Sequence, residues 1–133
     1  MQVKIDTKEK FHVITLTEQN LTDSLAESLY HLLTKFLDKE VKNVILKLTD
    51  VQNIDKEAGA IITRVQGKFY ENNASMVICD IQPSLEKELD QMGLLELMNI
   101  TPTESEAWDI VQMEEIEREL LDGADGEFPS KND

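Results

Sequence analysis

Apolar and polar residues alternate over Val3-Lys4-Ile5 and again from Phe11 to Leu16, the period of two expected of strands with one covered face. The charged run Asp6 to Lys10 between them reads as a turn, so the chain opens on a hairpin. The period then changes. Leu25, Leu29, Leu32, Leu33, Phe36 and Leu37 recur at spacings of three and four, predicting a helix from about Asp23 to Asp38. Thr22 or Ser24 can cap it, and Ser24 with Glu27 has capping-box spacing. Val44 to Leu48 is a short aliphatic run that predicts a central strand covered on both faces. Ala58, Ile61, Ile62, Val65 and Phe69 mark a second helix, and Ser75 to Cys79 a further buried strand. A strand, a helix and a strand in that order imply a right-handed parallel crossover.

Pro83 is suited to opening a third helix, with Leu85, Leu89 and Met92 on one face and Gly93 as its stop. Leu97 to Ile100 reads as a last short strand. Thr103 with Glu106 has the spacing of a capping box for a final helix, carrying Ala107, Ile110, Val111, Met113, Ile116 and Leu120 among many acids. That helix is expected to lie on the sheet for its first turns and then project. Gly123, Gly126 and Pro129 argue against continuation. The expected organisation is one domain over residues 1–121, including the helix from about 103 to 121, and a disordered acidic tail over 122–133.

Composition narrows the function classes. With 41% hydrophobic and 30% charged residues, the chain has the apolar material for a core. A net charge of −14 opposes direct binding to nucleic acid or to anionic lipid, since both depend on Lys and Arg neutralising phosphate. Much of that charge belongs to the last helix and tail. The apolar runs, such as Gly59 to Ile62, fall far short of the roughly 20 residues that cross a bilayer, and the first residues lack a signal-peptide apolar stretch. A cytoplasmic location is expected. Cys79 has no second cysteine to pair with and sits among Val77, Ile78 and Ile81, which predicts an inert buried thiol.

His12 and His31 have no second ligand at metal-binding spacing, and no glycine-rich phosphate loop, nucleophile elbow or zinc-binding motif is present. The expectation is a non-enzyme with no catalytic residue, no metal and no cofactor. One cluster bears weighing: Asp50, Asp55 and Glu57 gather between a central strand and the second helix. Close carboxylates suit acid-base chemistry. They suit equally a helix start, with Asp55 as cap and Glu57 set against the dipole.

Asn43 to Ile62, with Asp55-Lys56-Glu57-Ala58-Gly59 at the entry to the second helix, resembles the signature of STAS domains, the fold of anti-sigma factor antagonists. There a strand leads into Val-x-x-(Ile/Met/Phe)-Asp-Ser-Ser-Gly-Leu. Pro83 to Leu94 resembles that family's Pro-x-Val-x-x-x-Leu-x-x-x-Gly-Leu segment, and Thr103 to Ala107 its Thr-x-x-Glu-Ala helix start. The three lie in register from residue 1 to about 115. The resemblance implies an α/β fold, a STAS-like mixed β-sheet with helices packed on one face, to which this chain adds the acidic C-terminal helix and tail. It also implies bacterial signal transduction and transcription regulation by partner switching. The antagonist binds an anti-sigma factor or related serine kinase-like protein and is released when the second serine is phosphorylated.

By register Asp55 matches the family's Asp, Lys56 the first Ser, Glu57 the phosphorylated Ser and Ala58 the Gly. The acceptor hydroxyl is replaced by a fixed charge of about −1, against the −1.5 to −2 of phosphoserine. Thr22 stands where the family often has Asp, beside Asp23 and near the partner surface. The implied partner-binding set is Thr22, Asp23, Asp55, Lys56, Glu57, Ala58 and Gly59, in a monomer or weak homodimer. Two other readings compete. One is a scaffold subunit docking through the acidic last helix. The other is a small-ligand pocket at the ends of the central strands.

Overall fold

The computed structural model describes residues 1–127. β1 (Val3–Thr7) and β2 (His12–Leu16) pair antiparallel, with Val3 opposite Leu16 and Thr7 opposite His12, as the opening hairpin requires. β3 (Asn20–Leu21) leads into α1 (Asp23–Thr34). The expected first helix does not stay α-helical to Asp38, because Lys35–Asp38 tightens into a 3-10 turn closed by Lys39 N–H donating to the Phe36 carbonyl. Next come β4 (Val44–Lys47), β5 (Asn53–Ile54), α2 (Lys56–Glu71) and β6 (Met76–Cys79). The described chain closes with α3 (Pro83–Gln91), β7 (Ile100–Thr101) and α4 (Glu104–Glu127).

The main sheet has the order β1-β2-β4-β6-β7, antiparallel in the first pair and parallel in the others. β4 and β6 are buried along almost their whole length and stand near the middle, the position their aliphatic content calls for. Successive strand residues point to opposite faces. Val44 and Leu46 therefore join Ile14, Ile78, Leu29, Leu33, Ile62 and Phe69 in one apolar layer beneath α1, α2 and α3. Ile45 faces the other way, into a smaller layer with Phe11, Val13, Val77, Cys79, Ala107 and Val111 beneath α4. Helices thus cover one face as expected, and the acidic last helix covers the opposite one. Trp108 of α4 stacks on Phe11 with ring centroids 4.5 Å apart.

Two boundaries move. The strand expected over Leu97 to Ile100 is a 3-10 turn at Leu95–Leu97 followed by a two-residue pairing, Ile78 with Ile100 and Cys79 with Thr101. Gly93, at φ +72°, turns the chain out of α3 while Leu94 N–H closes back on the Leu89 carbonyl at 2.9 Å, which delays the strand. At the other end, α4 passes Gly123 and Gly126 and runs to Glu127, since a helical glycine costs only about 1 kcal/mol relative to alanine. The rest of the expected tail, residues 128–133, lies outside the described residues.

Candidate functional site

Two short loops carry the residues expected to bind a partner, and a second small sheet brings them together. β3 and β5 pair in parallel, Asn20 opposite Asn53 and Leu21 opposite Ile54, and the two asparagine side chains join at 2.9 Å. Asp55 N–H donates to the Leu21 carbonyl at 3.1 Å, extending the register to the first residue before α2. α3 supports this from its side: Glu88 Oε1 accepts the Ile54 N–H at 2.9 Å, and Ser84 Oγ donates to the Gln52 carbonyl. The starts of α1 and α2 therefore stand side by side.

Thr22 is the cap of α1, its Oγ1 accepting the Leu25 N–H at 3.3 Å, so the alternative cap at Ser24 is not used. Asp55 occupies the cap position of α2 with extended backbone, yet its carboxylate makes no bond to its own helix. Instead Asp55 Oδ2 accepts the Asp23 N–H at 3.3 Å, satisfying a free donor of the neighbouring helix. Local capping therefore gives way to a link between helices. Asp23 Oδ1 accepts the Ser24 N–H at 2.8 Å and holds the α1 side of the junction.

Of the seven residues expected to bind a partner, Thr22, Asp23, Asp55, Lys56 and Glu57 are exposed together at this junction. Ala58 and Gly59 are buried and bear on packing: a Cβ at Gly59 would meet Leu94 Cδ1 at 2.5 Å. Glu57 stands in the first turn of α2, where a negative charge is favoured by the helix dipole. Among the described residues no ion pair joins it to Lys56. Nor does a hydrogen bond join Asp50 to Asp55 or Glu57 among those residues, so the carboxylate cluster is not a proton-sharing pair.

A shallow groove of about 350 Å³ runs between the two helices, lined by Asp23, Ser24, Glu27, Glu57, Ile61 and Arg64 among others. Arg64 leans on the Tyr30 ring at 5.2 Å and reaches Glu27 at 3.8 Å, a loose exposed pair. Its part in this surface was missed in the sequence, although its position seven residues after Glu57 puts it two turns along the same helix face. Three carboxylates against one already paired cation make the groove acidic.

Elsewhere the chemistry is quiet. Cys79 is buried, and burial, with Asp80 beside it, pushes its thiol up to about 12. Lys47, at the end of β4 where α/β sheets often hold ligands, is engaged by Glu104 at 3.1 Å and Asp80 at 3.5 Å. The Glu104 hydrogen bond is the main reason its ammonium is held above its ordinary pKa. A recess of about 440 Å³ near that edge is lined by Ile81, Glu86, Leu95, Met98 and Ile100 with no basic side chain to hold an anion. No group of three metal-capable side chains gathers among the described residues, and no helix there is long and apolar enough to cross a membrane.

The profile of the STAS domain family matches residues 2–107. Among solved structures, the chain is similar to a Thermotoga maritima protein assigned as an anti-sigma factor antagonist. That match has TM-score 0.68 and 20% identity, and covers 83% of this chain and 94% of that one. It is similar to RsbS of Moorella thermoacetica carrying a serine-to-glutamate substitution, with TM-score 0.69, 17% identity, and 84% and 96% covered. It is also similar to the phosphorylated form of the Bacillus cell fate determinant SpoIIAA, with TM-score 0.59, 16% identity, and 83% and 99% covered.

Proposed function

Because the chain belongs to the STAS domain family, we propose that it is a non-catalytic interaction module that binds an anti-sigma factor or related serine kinase-like protein through the joined starts of α1 and α2. The observation that carries this reading is the Asp55 to Asp23 bond across two helices. It spends a capping carboxylate on fixing one exposed surface, where ordinary stability would place that carboxylate on its own helix. Thr22, Asp23, Asp55, Lys56 and Glu57 then form a preorganised patch, which lowers the ordering cost of association.

Glu57 has the place of the phosphoacceptor serine in this reading. Its charge is permanent, so binding through this position is not relieved by a kinase and phosphatase cycle. Exposed and without an ion pair among the described residues, Glu57 is available to a cation of the partner. The groove beside it, acidic and with its one arginine engaged, supports a partner surface of opposite charge.

The test is affinity capture from an extract of the native cell with the intact chain, Glu57→Ser and Glu57→Lys. Glu57→Lys should lose a serine kinase-like protein that the intact chain recovers, and Glu57→Ser should recover less of it. A gain with Glu57→Ser would instead identify the intact chain as fixed in the released state. Identical recoveries from all three would remove position 57 from the interface.

A further inference from the structure

α4 is built with two apolar faces, and the core uses only one. At roughly 100° of turn per residue, Ala107 and Val111 lie on the line that meets the sheet. Met113, Ile116 and Leu120 fall within about 60° of one another and about 170° away from that line. They are 57%, 55% and 67% exposed, so this second stripe points away from the molecule. Their spacing of three and four is that of a seam for another helix.

The inner side of the same segment is already fastened. Glu114 accepts from Ser75 Oγ at 2.6 Å and from the Tyr70 hydroxyl at 2.8 Å. Arg118 donates to Ser75 Oγ at 3.1 Å and to Asn43 Oδ1 at 3.4 Å. Asn43 Nδ2 donates to Glu115 Oε2 at 2.8 Å. With these bonds on the sheet side, rotating the helix to bury the outer stripe would break the network, so among the described residues the stripe stays uncovered.

Charge decides which partner. Glu117 flanks the stripe on one side, Glu119 on the other, and Arg118, committed to the sheet, is the one base between Glu104 and Leu121. A second copy of α4 would set like charges against like, and an anionic membrane surface would be repelled. Beside the stripe, Lys10, Trp108, Gln112, Glu115, Ile116 and Glu119 border a recess of about 300 Å³, two acids to one base, able to take an anchoring side chain. We propose that the outer face of α4 docks a basic amphipathic helix of another protein, on the opposite side of the sheet from the α1 and α2 junction.

The probe is a peptide of about 20 residues, long enough to form a helix, with leucines at heptad spacing and lysines flanking them. Its control is a scrambled peptide of the same composition. Measured by fluorescence anisotropy with the full chain, the amphipathic peptide should bind at least about tenfold more tightly than the scrambled one. The triple variant Met113→Ser, Ile116→Ser, Leu120→Ser should lose that preference with an unchanged unfolding midpoint. Should it fail to fold, the double variant Glu117→Lys, Glu119→Lys must lose the preference in its place. Equal binding of both peptides, or a preference that survives these substitutions, overturns the proposal. So does a chain that self-associates in sedimentation through the stripe, or one that binds anionic vesicles by it.

Discussion

Asp55 shows how one carboxylate is diverted from local to long-range use. Its bond to the Asp23 N–H is exposed, so Asp55→Ala should lower unfolding free energy by only about 0.5–1.5 kcal/mol in denaturant titration. The larger effect should appear in partner binding, because the junction loses its link. Tyr70 gives a pH-dependent signature. Burial first, and then its bond to Glu114, push the phenol up from 10.0 to about 12. The folded state then holds a proton that the unfolded chain releases, so Tyr70 adds stability below pH 10 that is lost as pH rises toward 12. Tyr70→Phe, made in a Cys79→Ala background because the thiol titrates with the same sign, should show a shallower alkaline loss over that window. Cys79 itself should resist alkylation at pH 8 until the chain unfolds, measured by mass spectrometry against a denatured control. That inertness was readable from its apolar neighbours in the sequence, whereas the Asp55 to Asp23 contact was not, since two residues so far apart give no local signal.

Long periodic segments were the legible elements. The stripes of α1 and α2 and the aliphatic runs of β4 and β6 are stated by their spacing, and the structure places them near the expected bounds. β3 and β5 could not be seen, because two residues make no period; their pairing exists only once Leu21 and Ile54 are anchored in the core. The face chosen by α4 was also hidden, since its sequence carries two apolar stripes and nothing local says which one meets the sheet. The polar network under that helix settles it. Glu114→Ala would remove the acceptor of the Ser75 hydroxyl and leave the Tyr70 hydroxyl only the Met76 carbonyl at 3.5 Å, and should cost about 1–3 kcal/mol, with an increase in amide exchange along the second half of α4.

For the molecule as a whole, the sheet separates two surfaces of different design. One side presents the α1 and α2 junction with Glu57 at its edge; the other presents the acid-flanked outer stripe of α4. The sequence resemblance pointed to the first through the register of Asp55 to Gly59, and the fold brings the exposed members of that set to one place. It could not identify the partner, because specificity depends on the surface that meets it. The most direct test is site-specific photo-crosslinking in an extract of the native cell, with the reactive side chain at Lys56 or Asp23 and, as a control outside both surfaces, at Ile5 on the sheet edge. Crosslinks from Lys56 and Asp23 to one serine kinase-like protein, absent from Ile5, are the predicted result; no such adduct from the junction, or the same adduct from Ile5, would contradict it.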